Sequence, residues 1–355
     1  MLKQTVLNLM HVTGAFAPFR LANRSKTLIL TYHRFSETET EDKTSAQAFA
    51  DHLEYLMQHY RILPLAQVAD CLATGKTLPQ SAAVITIDDG YRDAYDIAYP
   101  LLLKHRVPAT LFVATAFVDQ KKWLWTDKMR YLAAHTAEPE INAALKGRSV
   151  RAALTDGRSR RKAADKLNAI LKTMPTAQKE EALKQMATTL GVLLPPVPPP
   201  EYGAITWEQA RELDGEGIVI GSHTVTHPIM TNTSDEQLHR ELNESKARLE
   251  EELGRQVSLF CYPNGRTDPR VQQATAQAGY RCAVSNLHGM NTLHTPLLAL
   301  RRIAPEPDLA HFVQSTSGFE DMKAVLRNGW QQARPAKTAA ATTAPQFIVE
   351  QIRQA

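Results

Sequence analysis

Cysteine is scarce in this chain: three residues in 355, Cys71, Cys261 and Cys282, with no CxxC spacing. That count excludes a disulfide framework or a cysteine zinc site, and reduced thiols in a cytoplasmic protein are the simplest expectation. No stretch reaches the ~20 apolar residues of a membrane span. The opening MLKQTVLNLMHVTGAFAPFRLANRS also lacks the unbroken apolar run of a secretory signal, because Gln4, Asn8, His11 and Thr13 interrupt it. Charge of one sign is nearly absent in excess: the net formal charge is +4. With no RNA- or DNA-binding module in view, no nucleic-acid partner is expected. What is present is a hydrophobic fraction of 43%, enough to build a core. The length suits one large α/β domain with an insertion.

Short apolar runs at 27–32, 82–87, 109–114, 218–221, 257–262 and 281–285 are rich in Val, Ile, Leu and Phe and do not alternate strictly with polar residues. Strands covered on both faces read this way. Helical patterns lie between them, at 46–59, 95–105, 205–216 and, most clearly, 234–253. The last opens with Ser234 as a capping residue and closes on Gly254. Strands alternating with helices predict a parallel sheet, open or closed into a barrel.

The rhythm fails from about 118 to 203, where no strand is evident. Trp123 and Trp125 open this segment, and PPVPPP (195–200) nearly closes it. Between 146 and 184 it holds eleven Lys/Arg against four Asp/Glu. A solvated helical face accounts for such a run, and a surface for anionic lipid or polymer is the alternative. The organisation expected is therefore an N-terminal extension (1–26), a core in two parts (27–117 and 204–330), a helical, basic insertion (118–203) and a loosely ordered tail (331–355). The extension is expected to form a short amphipathic helix with Leu2, Val6, Leu9 and Met10 on one side. Packing of that side on the domain is the plain reading. Peripheral contact with an anionic membrane, aided by Lys3, Arg20 and Arg24, is the sharper one.

Two motifs carry chemistry. TIDDG (86–90) follows an apolar strand directly, and adjacent aspartates at a buried strand end are costly unless paired or bound to metal. One carboxylate can ligate a metal while the other takes a proton from water; a turn and helix cap is the plainer alternative. SHTVTHP (222–228) follows another strand and places two histidines four residues apart, able to share one ion if the backbone curves. Both motifs sit at the carboxyl ends of strands, where parallel α/β folds build their sites. An Asp-His-His set leaves positions open for water and substrate.

TIDDG, SHTVTH and FCYPNG, in that order, resemble the polysaccharide deacetylase family, the NodB-homology carbohydrate esterases. TYHRF (31–35) is similar to a subgroup found with bacterial surface-polysaccharide genes. The resemblance covers roughly 27–116 and 204–305. It implies a distorted parallel (β/α) barrel and a metal-dependent hydrolase that removes N-acetyl groups from amino sugars of a polysaccharide or glycolipid. It further implies Asp88 as catalytic base, and Asp89, His223 and His227 as ligands of a divalent ion: Zn²⁺ first, with Co²⁺, Ni²⁺ or Mn²⁺ as alternatives. The oxyanion donor falls on the backbone N–H of Asn264, or on that of Tyr262 if the loop bends differently; Pro263 has none to give.

The chain departs from the family pattern in three places. The arginine that orients the catalytic aspartate is replaced by Cys261, and Arg301 or Arg302 is the substitute expected. The late Leu-x-His motif, which protonates the leaving amine, is missing; His33 is preferred over His288 and His294 as its replacement. The Asp-Trp pocket motif is also missing, with Trp123, Trp125 and Asp127 as stand-ins. These departures keep two other readings open: a metal amidohydrolase acting on a different non-peptide C–N bond, and a catalytically silent glycan-binding protein. The location expected is cytoplasmic, with membrane association as the variant.

Overall fold

The computed structural model describes residues 2–320 and Met322. The expected tail at 331–355 lies outside the described residues. Seven of the main sheet's eight parallel strands run round the barrel, β1 (Leu28–Tyr32), β2 (Ala82–Ile87), β3 (Ala109–Val113), β4 (Ile218–Ser222), β5 (Leu259–Cys261), β6 (Cys282–His288) and β7 (Leu300–Arg302), while the short Arg61–Ile62 pairs beside the start of β2. The seven neighbour one another in chain order. The ring closes where the Thr31 N–H donates to the Ile303 carbonyl (3.1 Å) and the Ile303 N–H donates to that of Ile29 (2.9 Å). The result is the parallel (β/α) barrel expected. Six strands fall on the apolar runs read from the sequence; β7, only three residues long, was not foreseen as a strand.

The strands are apolar throughout because both faces are covered. Every residue of β1, β2 and β3 is buried. Successive side chains point to opposite faces, so each strand feeds two cores. Leu28, Leu30, Ile85 and Leu111 belong to the larger. Ile29, Val84, Phe112, Cys261, Val284 and Leu300 belong to the smaller, together with Val68 and Leu72 of the helix Leu65–Thr74. Continuing that second set by twos toward the strand ends reaches Thr31 and His33, Thr86 and Asp88, Asn286 and Arg302. The period of a strand thus gathers polar residues from four strands at one mouth of the barrel.

The helices follow their sequence signals. Ala46–His59 matches the expected span, capped by the Ser45 side chain at the Ala48 N–H. Asp235–Leu253 starts from Ser234, whose hydroxyl accepts the Gln237 N–H, and ends on left-handed Gly254. Segment 118–203 departs from expectation. Besides the helices Trp125–His135, Gly157–Leu171 and Thr176–Thr189, it contains an antiparallel hairpin of Glu140–Leu145 with Arg148–Ala153. The reading of this segment as strandless is corrected. Lys146 and Gly147 turn the hairpin with positive φ (53° and 70°), the conformation that Asn-Gly usually advertises. Only Ile141 and Leu145 of the first strand are buried, so apolar alternation is faint. This segment has its own apolar core, including Trp125, Met129, Leu167, Leu171 and Met186, and one residue from elsewhere seals it: Ile229.

The N-terminal helix Leu2–Val12 forms as expected, but the side expected to act as one is split. Leu7 is buried and Met10 partly so against the barrel core, whereas Val6 and Leu9 point outward. The Gln4 side chain bonds to Asp308 (3.2 Å), and Phe16 and Phe19 meet Phe319 edge-on. Among the described residues, no helix is long and apolar enough to cross a membrane.

Candidate active site

The ends of β2 and β4 place Asp89, His223 and His227 together. Nε2 of His223 lies 3.3 Å from Asp89 Oδ1, and Nε2 of His227 lies 3.2 Å from the same oxygen. All three residues are buried. A tetrahedral ion with bonds of ~2.1 Å holds its ligand atoms roughly 3.4 Å apart, so these separations suit one small divalent cation. The His223 Nδ1–H donates to the Cys261 carbonyl (2.7 Å). A carbonyl only accepts, so this bond keeps a proton on Nδ1 and turns Nε2, the nitrogen left to ligate, toward Asp89. Burial pushes His227 below the usual histidine range despite the neighbouring Asp89 carboxylate, which favours the neutral, ligating imidazole.

A second cluster, Asp88, His223 and Cys261, also brings three potential ligands close. Its chemistry fits a cation poorly. Arg302 occupies both Asp88 oxygens, and burial pushes the Cys261 thiol up, away from the thiolate a metal needs.

The histidine loop is held in an unusual shape. Asp89, Thr224 and His227 all have positive φ (77°, 71° and 55°), a left-handed conformation that costs side-chain-bearing residues about 1–3 kcal/mol each unless the surroundings impose it. Here they do. The Thr224 hydroxyl accepts the His227 N–H (3.0 Å). Glu241, buried on the helix Asp235–Leu253, accepts the N–H groups of Val225 and Thr226 (2.8 Å each) and the Thr226 hydroxyl. Its position gave a faint signal: it shares a helix face with Leu238, Leu242 and Ser245, all buried. A carboxylate on an apolar face needs partners, and the sequence reading did not ask where they were.

Asp88 sits beside this cluster in a different environment. Arg302 grips it with two parallel bonds, Nη1 to Oδ1 and Nη2 to Oδ2, both 2.7 Å. The guanidinium also donates to the Thr86 hydroxyl (3.0 Å), the Ser285 carbonyl (2.9 Å) and the Asn286 side-chain oxygen (2.6 Å). Burial opposes ionisation of Asp88, but the charge and hydrogen bonds of Arg302 outweigh it and hold the carboxyl down at about 2. A buried ion pair adds little net stability against an apolar pair of similar volume, whereas each fully buried Leu or Ile contributes about 1.5–3 kcal/mol. The polar file at the barrel mouth therefore answers to chemistry more than to stability. Of the two arginines named from the sequence, Arg302 faces Asp88 and Arg301 is exposed. Cys261 stays in contact, its sulfur 3.2 Å from Arg302 Nη2.

His33 directly follows β1, with Nε2 at 3.7 Å from Asp88 Oδ2 and its side chain 44% exposed. His288 and His294 are exposed, and neither has a contact with Asp88. In the FCYPNG loop, the Tyr262 N–H donates to the Val284 carbonyl (3.2 Å) in the β5–β6 ladder. The Asn264 backbone is left-handed (φ 58°) and follows Pro263, which has no N–H. Gly265 has φ 65°, and a Cβ there would lie 2.3 Å from the backbone N and Cβ of Asn286. The loop and the Arg302 network are therefore in close contact.

The aromatic stand-ins are closed in. Trp123 stacks on Tyr202 and meets Tyr131 edge-on; Trp125 carries the Lys179 ammonium 4.1 Å over its ring. Both indoles are buried, so neither offers an open face to a sugar. Asp127 is buried and accepts the Tyr91 hydroxyl (2.6 Å), while the Arg34 guanidinium covers the Tyr91 ring at 4.0 Å.

Comparison with known proteins bears on the family and the fold. A family model described as polysaccharide deacetylase matches residues 75–283, well over half of the chain. The protein belongs to the polysaccharide deacetylase family, hydrolases of non-peptide carbon–nitrogen bonds. A Bacillus subtilis (strain 168) protein named as the polysaccharide deacetylase YxkH is 21% identical over 287 residues, covering 81% of this chain and 74% of its own. The poly-β-1,6-N-acetyl-D-glucosamine N-deacetylase of Escherichia coli (strain K12) is 26% identical over 94 residues, 25% of this chain and 14% of that one. Among solved structures, the Streptococcus pyogenes deacetylase PplD superimposes with a TM-score of 0.56 at 19% identity, covering 82% of this chain and 98% of that one. IcaB from Ammonifex degensii gives 0.53 at 20% identity, covering 82% and 97%. Both share the barrel fold.

Proposed function

We propose that the protein is a metal-dependent N-deacetylase that cleaves the acetamido group of an N-acetylhexosamine unit, N-acetylglucosamine in the first instance, within a glycan or glycolipid intermediate. The observation that carries this reading is the pairing of the Asp89–His223–His227 cluster with a second carboxylate, Asp88, beside it but outside it. Asp89, His223 and His227 would hold the ion, Zn²⁺ in our reading. A divalent ion bound there supplies Lewis acidity toward the amide carbonyl and the attacking water.

The chain's own residues do the rest. Asp88, kept ionised by Arg302, accepts a proton from the water as its oxygen attacks the acetyl carbon. The Asn264 N–H donates to the oxyanion that forms; Tyr262, its own N–H engaged in the sheet, supports the loop. His33 delivers a proton to the sugar nitrogen as the C–N bond breaks, releasing acetate and a free amine. The three free cysteines suit a reducing compartment, and we place the reaction in the cytoplasm.

The test is acetate release from N-acetylhexosamine oligomers by the zinc-loaded protein. Asp88→Asn should abolish release while zinc content stays the same. A wild-type protein that binds zinc and leaves every acetamido glycan intact would reject the deacetylase reading.

A further inference from the structure

The N-terminal segment has a second apolar face that the barrel does not use. The helix Leu2–Val12 packs inward through Leu7 and Met10. Val6, Leu9 and Val12 point the other way, 49%, 62% and 82% exposed, and Leu21 on the next helix, Ala17–Ala22, is 60% exposed. At 100° per residue, positions 6, 9 and 12 span about 120° of one helix side. Single exposed apolar residues are ordinary on protein surfaces. These are not scattered: among the described residues, four of eleven exposed large hydrophobic side chains fall within positions 6–21.

Within the segment itself the side-chain charge has one sign, although Asp51 and Glu54 line the cleft beside His11 and Arg20 and Asp308 meets Gln4. Residues 1–26 contain Lys3, Arg20, Arg24 and Lys26 and no aspartate or glutamate; the first carboxylate side chain in the chain is Glu37. Arg20 is tied to the Tyr55 hydroxyl (2.8 Å), while Arg24 is exposed. An outward apolar strip, flanking cations and no acid is the composition that lies flat in the headgroup region of an anionic bilayer. A protein partner has no comparable need for acid to be missing over so long a stretch.

We infer that residues 2–24 dock the protein on an anionic lipid surface, with Val6, Leu9 and Val12 inserted among the acyl-chain boundary groups and Arg24 at the level of the phosphates. This inference is independent of the hydrolytic reading, because it uses none of the residues at the barrel mouth.

The experiment is flotation of the full chain with phosphatidylcholine vesicles and with vesicles that also contain phosphatidylglycerol. The wild type should float with the anionic vesicles and stay behind with the neutral ones, and rising salt should release it. Val6→Ser/Leu9→Ser/Val12→Ser should abolish flotation. Arg24→Glu should weaken it by about fivefold or more, the effect of one cation near an anionic surface. Both variants change exposed side chains, so circular dichroism should show an intact fold and acetate release from a soluble substrate should be unchanged. Equal flotation of the triple-serine variant, or no flotation of the wild type at low salt, overturns the proposal. So does a vesicle-free dimer that the same serine substitutions dissolve, which would assign the strip to a second copy of the chain.

Discussion

Arg302 and Asp88 are 214 residues apart in sequence, yet they meet in two parallel hydrogen bonds of 2.7 Å at the barrel mouth. Cys261 stands where the family resemblance implies an arginine, and the guanidinium arrives from β7 instead. Removing it leaves a buried carboxylate without its counter-charge. Arg302→Met should destabilise the fold by about 3–5 kcal/mol near neutral pH and reduce acetate release by at least two orders of magnitude. Thermal melts and initial rates measure the two effects. Arg302→Lys should recover part of the stability and little of the activity, because an ammonium cannot form the paired bonds.

The same pair sets a pH dependence. The Asp88 carboxyl is held below its ordinary value of 3.8, at about 2. A lowered carboxyl stabilises the fold in full above about pH 4, and that contribution fades as the pH falls toward 2. Its size is about 2 kcal/mol, at 1.36 kcal/mol per unit. Wild-type stability should therefore fall through this window, and the fall attributable to Asp88 should vanish in an Asp88→Asn background. Denaturant titrations at pH 5, 4 and 3 would show it.

Glu241 touches neither the ion position nor Asp88, yet it ties down the peptide that links His223 to His227. Loss of such an outer support typically weakens metal binding by about 10–100-fold. Glu241→Ala should lower zinc affinity by that amount in a competition titration. Glu241→Gln, which keeps one accepting oxygen, should fall between the two. Zinc affinity unchanged in both variants would mean the loop holds its shape without this brace.

Gly265 faces Asn286 too closely for any side chain, and its backbone is left-handed. Gly265→Ala should cost about 1–3 kcal/mol and depress turnover more than zinc binding, because the displaced segment carries Asn264 and presses on the Arg302 network. Melting temperature, zinc content and turnover number, measured together, separate these effects.

Metal removal gives a further check. A bound ion at about 100 times its dissociation constant stabilises the native state by about 2.7 kcal/mol. Chelation should lower the melting temperature, and re-added zinc should restore it. His227→Ala should abolish the chelator's effect.

Six of the seven barrel strands were legible because strands covered on both sides read as unbroken apolar runs. The two ligand motifs were legible because each follows such a run directly. β7 was not, since three residues, two of them arginine, carry no strand signal of their own. The hairpin in 118–203 was hidden by alanines and by a Lys-Gly turn in place of the usual Asn-Gly. Arg302 could be named only as one of two, because which of two adjacent arginines faces inward depends on the strand's phase, and that phase is set by Leu300 entering the core. The inward face of the N-terminal helix was legible only in Met10 for a related reason: both of its sides are apolar, and packing against the helix Leu309–Thr316 and the core turns Leu7 and Met10 inward.

Ile229 closes the apolar core of segment 118–203 from outside it, two residues beyond His227. The segment and the histidine loop thus share a single keystone. Repacking anywhere beneath Trp125 or Leu167 would lean on that keystone and shift the ring of His227. Substitutions in the core of this segment should therefore register in zinc affinity as well as in stability.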